Sequence, residues 1–347
     1  MSPNRGAHHY IDNALYMKTD ELLIMMLYAY VKKYNIPMIA TASVEDYERY
    51  FLADPSLSKY LNDVYIEEPE YNEIAPMLEN HIQLFEKKYK VKISEEMVKF
   101  AIYTSGLSES PASNPGRTVS ILEKASLEAR IKGKKEVDKK CILSCYNTYL
   151  KMYEKENEKS REAIAYHETG HYIVQIKSKN QNDMKIACVS ILPMMDWMGV
   201  NIPYRDGQEF GLYSKEYFVD EIAIYIAGRI AEKKFTSKES SGASSDLQHA
   251  NAYAKAIVMN WGFSEKEGNK NRSYNLEDYY LMPESKKELI DKEIQELIDA
   301  GTKRAQEIID ANEGLLEVIV KRLMVDEILT GEQLEQICKE YEEQKNK

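Results

Sequence analysis

Residues 161–174 read REAIAYHETGHYIV and contain the pattern His-Glu-x-x-His at His167, Glu168 and His171. Residues four apart lie on one face of an α-helix, so a helix beginning near Ser160 presents both imidazoles in the same direction. Two imidazoles at this spacing can bind one zinc ion, each at about 2.0–2.1 Å. Glu168 lies roughly 100° around the helix from His167, so it can reach a water beside the metal without becoming a ligand. The stretch predicts a zinc site with Glu168 as the general base.

The alternative interpretation is a surface helix that carries two incidental histidines. Ile164, Ile173 and Val174 make the helix largely apolar, which predicts that it is buried or faces a cleft. Two imidazoles without partners on such a helix would leave buried polar atoms unsatisfied, which costs free energy. The apolar flanks therefore favour the metal site.

A catalytic zinc ion takes three protein ligands and keeps one position open, whereas a structural zinc ion takes four protein ligands. By residue type alone, the third ligand is any well-placed carboxylate or one of the remaining histidines, His8, His9, His81 and His249. The pattern does not choose among them. The sequence offers no obvious fourth ligand, which favours a catalytic site.

Composition limits the class of protein. The 347 residues suffice for two or three domains, and the net charge of −11 disfavours nucleic acid as a partner. The sequence contains no apolar run near the roughly 20 residues of a transmembrane helix, so we expect no membrane insertion by this chain. The four cysteines are too few and too scattered for a disulfide framework, which predicts free thiols and a cytoplasmic location.

The first 70 residues alternate helix and strand signals. A helix is predicted from Leu22 to Lys33, a buried parallel strand at residues 36–43 and a second strand near Val64–Ile66. This order is typical of part of an α/β domain.

From Glu70 onwards the sequence has a helical pattern. Ser94 is predicted to cap one helix, and Gly133 is predicted to end another that spans residues 117–132. Two capping boxes are predicted in the last quarter of the chain, Ser285 with Glu288 and Thr330 with Gln333.

Three separated motifs share a resemblance to one family. The zinc helix, AGRIAEKKF (residues 227–235) and SGASSDLQHANAYAKAIVMNWGFSE (residues 241–265) together resemble the peptidase domain of FtsH-type AAA zinc metalloproteases. The stretch ANEGLLEVIVKRLMVDEILTGEQLEQI (residues 311–337) is similar to the final helices of that family. The resemblance covers about residues 156–340. It implies a mainly α zinc peptidase domain over residues 156–347.

The resemblance also implies roles for particular residues. Asp246 would be the third zinc ligand; the alternative is a helix N-cap, a position that Asp favours. Glu232 would be an acceptor that orients a ligand histidine, or else an exposed helical residue. The stretch VSILPM (residues 189–194) resembles a strand beside the active cleft, where an extended substrate could add as another strand. A structural edge strand is the alternative for that stretch.

The front of the chain is similar to a different ATPase branch. Residues 39–69 (IATASVEDYERYFLADPSLSKYLNDVYIEEP) resemble part of a Clp-type AAA+ module. This implies that residues 1–70 are the C-terminal part of an incomplete α/β subdomain and that residues 71–155 are its helical lid. Thr41 matches a position that senses nucleotide phosphate, and Arg117 lies in a region that can contact nucleotide.

The nucleotide machinery is nevertheless incomplete. The sequence contains no GxxxxGK[ST] motif, and the apolar run ending in paired acids that holds magnesium is also absent. ATP hydrolysis by this chain alone is therefore not expected.

The sequence thus predicts a zinc-dependent endopeptidase that degrades unfolded or extended polypeptides. The resemblance implies a homo-hexameric ring, or docking onto a complete AAA+ ATPase. One alternative is a non-catalytic, zinc-containing scaffold or adaptor on such an ATPase. The other is an ATPase subunit that another chain completes.

Overall fold

The computed structural model describes residues 9–11, 33–34, 38–44, 47–48, 62–107, 112–146, 158–181, 184–192, 199–205, 212–237, 240–266 and 270–345. The chain divides into two compact units, Met1–Glu67 and Glu68–Lys347. Among the described helices, none combines the length and the apolar character needed to cross a membrane.

The first unit contains a short parallel sheet. Strand β1 (His9–Ile11) pairs with β2 (Met38–Ala40), which confirms the predicted parallel strand within residues 36–43. The predicted helix Leu22–Lys33 lies outside the described residues except at its last position. The predicted strand at Val64–Ile66 is wrong, because residues 62–70 form neither strand nor helix and Val64 and Ile66 are 82% and 84% exposed. No described strand pairs with this segment, and an isolated extended stretch has no ladder to stabilise it.

The second unit is mainly helical, as predicted. Its first helices are α1 (Tyr71–Met77), α2 (Glu79–Tyr89), α3 (Glu95–Thr104), α4 (Gly116–Ile131) and α5 (Lys139–Leu143). The remaining helices are α6 (Glu158–Lys177), α7 (Lys215–Thr236), α8 (Ser244–Lys255), α9 (Leu276–Leu281), α10 (Glu284–Ala311), α11 (Glu313–Asp326) and α12 (Gly331–Lys345). A π-helical turn, Ala256–Asn260, extends α8. The strands are β3 (Met184–Ser190), β4 (Val200–Arg205) and β5 (Ile328–Thr330).

Local signals set several of the helix ends. The Ser94 hydroxyl accepts a hydrogen bond from the Met97 amide at 3.3 Å and caps α3. Helix α4 ends before Gly133, whose φ of +70° suits glycine. Thr330 and Gln333 form the predicted reciprocal capping contacts at the start of α12.

The predicted capping box at Ser285 and Glu288 is wrong. Helix α10 begins two residues earlier than that box requires, at Glu284, and its N-cap residue is Pro283. Proline supplies a fixed φ and needs no amide partner, so it suits the entry to a helix and leaves Ser285 inside the first turn.

The three strands form one antiparallel sheet in the order β4-β3-β5. Between Cys188 and Ser190, β3 pairs with β4 on one side and with β5 on the other. At Val189 and Ser190 the expectation of an edge to which a substrate strand could add is therefore wrong, and residues 193–194 of VSILPM lie outside the described residues. The second partner of β3 lies some 140 residues further along the chain, which a local pattern cannot reveal. Within the described sheet, β4 is the outer strand nearest the histidine helix.

The sheet separates two apolar cores. Helices α1–α5 pack on one face, to which the sheet contributes Ala187, Cys188, Val200, Ile202 and Ile328. Helices α6, α7, α10, α11 and α12 pack on the other face, to which the sheet contributes Ile186, Val189, Ile191 and Leu329. The Tyr103 ring of α3 also stacks on Tyr204 of β4, with centroids 4.3 Å apart. Because the cores share a sheet, residues 68–347 cluster as one unit; the proposed division at residue 155 stays a prediction.

Helices α6 and α7 cross at very short range. A Cβ atom on Gly170 would lie 2.7 Å from the Ala231 Cβ and 2.8 Å from the Ala227 carbonyl oxygen. Beside this crossing, the rings of Tyr166 and Phe235 stack with centroids 4.7 Å apart. Small residues at the crossing therefore set the distance between the two helices.

We expect Gly170→Ala to lower the free energy of unfolding by about 1–3 kcal/mol, because the added methyl group must push a backbone carbonyl away. Urea unfolding followed by circular dichroism measures the change. Gly106→Ala is the matched control, since a Cβ there meets nothing within 4 Å. Equal stability of Gly170→Ala and wild type would contradict the close crossing.

Candidate metal centre

Helix α6 brings the two histidines of the His-Glu-x-x-His pattern together. Their Nε2 atoms lie 3.1 Å apart. The Nδ1 atom of His171 lies 2.6 Å from the Ile224 carbonyl oxygen of α7. Because a carbonyl only accepts, Nδ1 carries the proton and Nε2 presents its lone pair to the space between the imidazoles. This arrangement is typical of a metal-binding histidine.

Asp246 of α8 completes the group. Its Oδ2 atom lies 3.1 Å from His167 Nε2 and 3.5 Å from His171 Nε2. Asp246 is not the helix N-cap, because α8 begins at Ser244 and its N-cap residue is Ala243. That alternative is wrong, since a short 3₁₀ turn, Ser241–Ala243, already leads the chain into the helix. The carboxylate faces the imidazoles instead.

The three donor atoms have the spacing of a metal-binding triangle. Zinc bonds of 2.0–2.1 Å in a tetrahedron place neighbouring donors roughly 3.3 Å apart, and the separations here are 3.1, 3.1 and 3.5 Å. Within the part of the chain that the structure describes, no fourth histidine, cysteine or acidic side chain joins the group. Two nitrogen donors and one carboxylate oxygen fit a zinc ion with one position left for solvent or substrate.

Gly228 of α7 makes room for this group. A Cβ atom on Gly228 would lie 2.5 Å from His171 Nε2 and 2.7 Å from His167 Nε2. Gly228 is a site residue that the sequence pattern alone did not predict. The signal was present, because Gly228 stands inside the AGRIAEKKF motif, but only the helix crossing shows what it touches.

The electrostatics of the group favour positive charge. Burial lowers the pKa of His167, but the nearby Asp246 and Glu232 carboxylates outweigh burial and raise the pKa to about 10. Burial raises the pKa of Asp246, but its contacts with the two imidazoles outweigh burial and hold it well below its usual value. A proton therefore occupies this group readily, and a metal ion must compete with it.

Glu168 is buried beside the triangle, with 8% of its surface exposed, and is not part of it. Burial raises its pKa, against the opposing influence of His167 and His171. A Cβ atom on Gly199, just before β4, would lie 2.8 Å from Glu168 Oε1. The carboxylate is thus enclosed between α6 and the start of the outer strand. A buried carboxylate with a raised pKa is suited to accept a proton near neutral pH.

Glu232 lies behind His167. It is 3% exposed, so the alternative of an exposed helical glutamate is wrong. Its Oε2 atom lies 3.7 Å from His167 Nδ1 and accepts a hydrogen bond from the Ser240 hydroxyl at 3.1 Å. Burial raises the pKa of Glu232, but the contacts with His167 and Ser240 outweigh burial and lower it. The negative charge behind Nδ1 favours the orientation in which Nε2 faces Asp246.

The other candidate ligands lie elsewhere or outside the described side chains. His81 makes an edge contact with the Phe85 ring of α2, and His249 is exposed on α8 and stacks on Tyr225. His8 lies outside the described residues, and only the backbone of His9 is described.

The nucleotide-sensing candidates lie in different units. Thr41 belongs to the first unit, next to the end of β2. Arg117 belongs to the second unit, where its Nε donates to the Ala112 carbonyl oxygen at 2.8 Å and its Nη1 lies 3.9 Å from Glu68. Their roles toward nucleotide stay predictions.

We expect Gly228→Ala to weaken zinc binding at least tenfold, because its Cβ would press against both imidazole Nε2 atoms. Competition with a chelating dye measures the affinity, and circular dichroism of the metal-free variant verifies folding. Gly116→Ala is the control, since a Cβ there meets no atom within 4 Å. Unchanged affinity in a folded Gly228→Ala protein would exclude this placement of the metal.

Comparison with known proteins agrees with the geometry. The model of peptidase family M41 matches residues 154–337. An ATP-dependent zinc metalloprotease FtsH of Lancefieldella parvula is 29% identical over 240 residues, covering 66% of this chain and 37% of that protein. The protein of the same name from Helicobacter pylori J99 is 26% identical over 328 residues, covering 90% and 49%, respectively. FtsH 2 of Phytoplasma mali is 27% identical over 341 residues, covering 97% and 47%.

The chain spans less than half the length of these relatives. The family match, in contrast, extends over more than half of the chain and includes the His-Glu-x-x-His helix, the Gly228 segment and Asp246. This protein therefore belongs to peptidase family M41.

Proposed function

We propose that this chain is a zinc-dependent endopeptidase that cleaves unfolded or extended polypeptides. The observation that carries the proposal is the triangle of His167, His171 and Asp246 donor atoms with the buried Glu168 beside it. The relatives are named zinc metalloproteases, which supports zinc as the metal and proteolysis as the reaction.

The residues of the site have separate roles in this proposal. His167, His171 and Asp246 would hold the zinc ion. Zinc, when bound, acts as a Lewis acid that makes water nucleophilic near neutral pH. Glu168 accepts a proton from the attacking water and returns it to the amine of the departing peptide product. Glu232 stabilises the orientation of His167 through its charge behind Nδ1.

The sheet offers a place for the substrate main chain. Strand β4 is one of the two outer strands of the described sheet, and it begins directly after Gly199, which packs against Glu168. A polypeptide aligned along β4 would pair through main-chain hydrogen bonds and pass the metal group. Such pairing requires a substrate segment without its own secondary structure, which supports unfolded or extended polypeptides as substrates.

The relation of this chain to ATP and its assembly with other subunits are only proposals. The relatives are named ATP-dependent, but this sequence lacks a phosphate-binding GxxxxGK[ST] loop, so we propose that the chain alone does not hydrolyse ATP. A homo-hexamer or a complete AAA+ ATPase as partner, and the partial AAA+ module before the peptidase domain, stay hypotheses. The four free thiols support the predicted cytoplasmic location.

The non-catalytic scaffold or adaptor stays the alternative. A structural zinc site is closed by four protein ligands, whereas three donors meet here among the described residues. The geometry therefore favours the enzyme.

We expect Glu168→Gln to lower kcat for labelled casein at least a hundredfold while zinc stays bound, because the amide cannot accept the proton. Product release measures the rate, and metal analysis measures bound zinc. Glu162→Gln, at an exposed position of the same helix, is the control. Normal casein cleavage by Glu168→Gln with zinc bound would remove Glu168 from the mechanism, and zinc-free activity would remove the metal.

We expect the isolated protein to show no measurable ATP binding at micromolar concentrations in isothermal titration calorimetry, because the phosphate cradle is missing. An unrelated ATPase serves as the positive control. Saturable ATP binding would support the ATPase subunit instead.

A further inference from the structure

A row of neighbouring aromatic rings lies along helices α7 and α8 and ends just after the π-helical turn; two of its ring pairs are stacked and two are tilted. We call His249, Tyr225, Tyr253, Phe218 and Trp261 the aromatic row. Neighbouring ring centroids lie 5.1 Å apart for His249 and Tyr225, 5.9 Å for Tyr225 and Tyr253, 5.6 Å for Tyr253 and Phe218, and 4.1 Å for Phe218 and Trp261. None of the five is fully buried, and Trp261 is 41% exposed.

One end of the aromatic row lies next to the metal group. His249 follows Asp246 by three residues on α8, a rise of about 4.5 Å. Tyr225 directly follows Ile224, whose carbonyl oxygen contacts His171, and precedes Gly228 by three residues on α7. Two helices therefore place the His249–Tyr225 pair within one helical turn of the metal group.

Phe218, Tyr225 and Tyr253 are partly buried and pack on the apolar core between α7, α8 and α10, whereas the two ends of the row, His249 and Trp261, are exposed. His249 itself is exposed, and its imidazole nitrogens have no hydrogen-bond partner among the described residues. Packing alone does not require an exposed imidazole stacked on a tyrosine. Contiguous exposed aromatic surface beside a reactive site is typical of a binding surface.

We propose that the aromatic row binds apolar and aromatic side chains of the polypeptide substrate on one side of the cleaved bond. The His249–Tyr225 pair forms the subsite nearest to the metal, where a flat substrate ring continues the stack. The identity of the ligand as a polypeptide rests on the proposed function. The position of the row, which starts beside the metal group, favours the substrate over a second copy of this chain as its occupant.

The first experiment measures cleavage preference. Two series of quenched fluorescent peptides carry phenylalanine or serine at successive positions around the cleaved bond, and mass spectrometry locates the cut. We expect wild type to prefer phenylalanine at one position on one side of the bond. His249→Ala should reduce kcat/KM for that peptide about twofold to tenfold, the range of one aromatic contact. It should leave kcat/KM for the serine peptide unchanged.

Gln248→Ala is the matched control, because Gln248 is exposed on the same helix next to His249. Trp261→Ala tests the far end of the aromatic row and should reduce the preference at a position further from the cut. Absence of any phenylalanine preference in wild type would overturn the proposal, as would an unchanged preference in both variants. A changed oligomeric state of Trp261→Ala in light scattering, with unchanged preference, would assign the row to a subunit contact and overturn the proposal.

The second experiment separates this proposal from the proposed function. Fluorescence anisotropy measures binding of the labelled phenylalanine and serine peptides to Glu168→Gln, with and without His249→Ala. If the phenylalanine peptide binds more tightly than the serine peptide and His249→Ala abolishes this difference, the aromatic row is supported. This holds even if wild type cleaves neither peptide, and in that case only the peptidase proposal fails. Equal binding of both peptides overturns the aromatic row whether or not cleavage occurs.

Discussion

The close crossing of helices α6 and α7 is the constraint on which the metal group depends. Gly170 brings the α6 backbone against Ala227 and Ala231, and Gly228 leaves room on α7 for the two imidazoles of α6. At this distance the Ile224 carbonyl oxygen reaches His171 Nδ1, and Glu232 lies behind His167. A wider crossing would release both imidazoles from the groups that orient them. The geometry of the site thus depends on glycine and alanine residues at the helix crossing.

The sheet connects this crossing to the rest of the second unit. Its β4 strand contacts helices α1–α5 through Val200, Ile202 and the stack of Tyr204 on Tyr103. One residue before β4, Gly199 lies against Glu168. The same strand therefore forms part of the helical core on one face and bounds the Glu168 carboxylate at its start. Two ion pairs of Glu327, with Lys140 of α5 and Arg161 of α6, join the same two groups of helices at the surface.

Charge explains how a buried group of this kind holds a metal. Asp246 and Glu232 both face His167, so the site attracts a cation and, without a metal, a proton. A divalent ion that replaces the proton satisfies the carboxylate and both imidazoles at once. Glu168 lies outside the donor triangle and keeps a raised pKa because it is buried. The pKa of Asp246 is thus lowered and that of Glu168 raised, because Asp246 contacts both imidazoles and burial dominates at Glu168.

The sequence by itself determined the helix, its histidine spacing and the position of Glu168, because residues four apart share a face in any α-helix. It also determined the predominance of helix, the strand within residues 36–43 and several caps, which depend on near neighbours, but it did not predict the partner strand β1. Residue type alone did not identify the third ligand. The family resemblance pointed to Asp246, which lies 75 residues beyond His171 in the sequence. Only the fold shows that Asp246 lies beside the two imidazoles.

The tertiary structure alone decided that β3 is central, that Gly228 is a site residue and that five rings form one row. These features depend on contacts between segments that are far apart in the chain. A local sequence pattern does not show which distant segments come into contact.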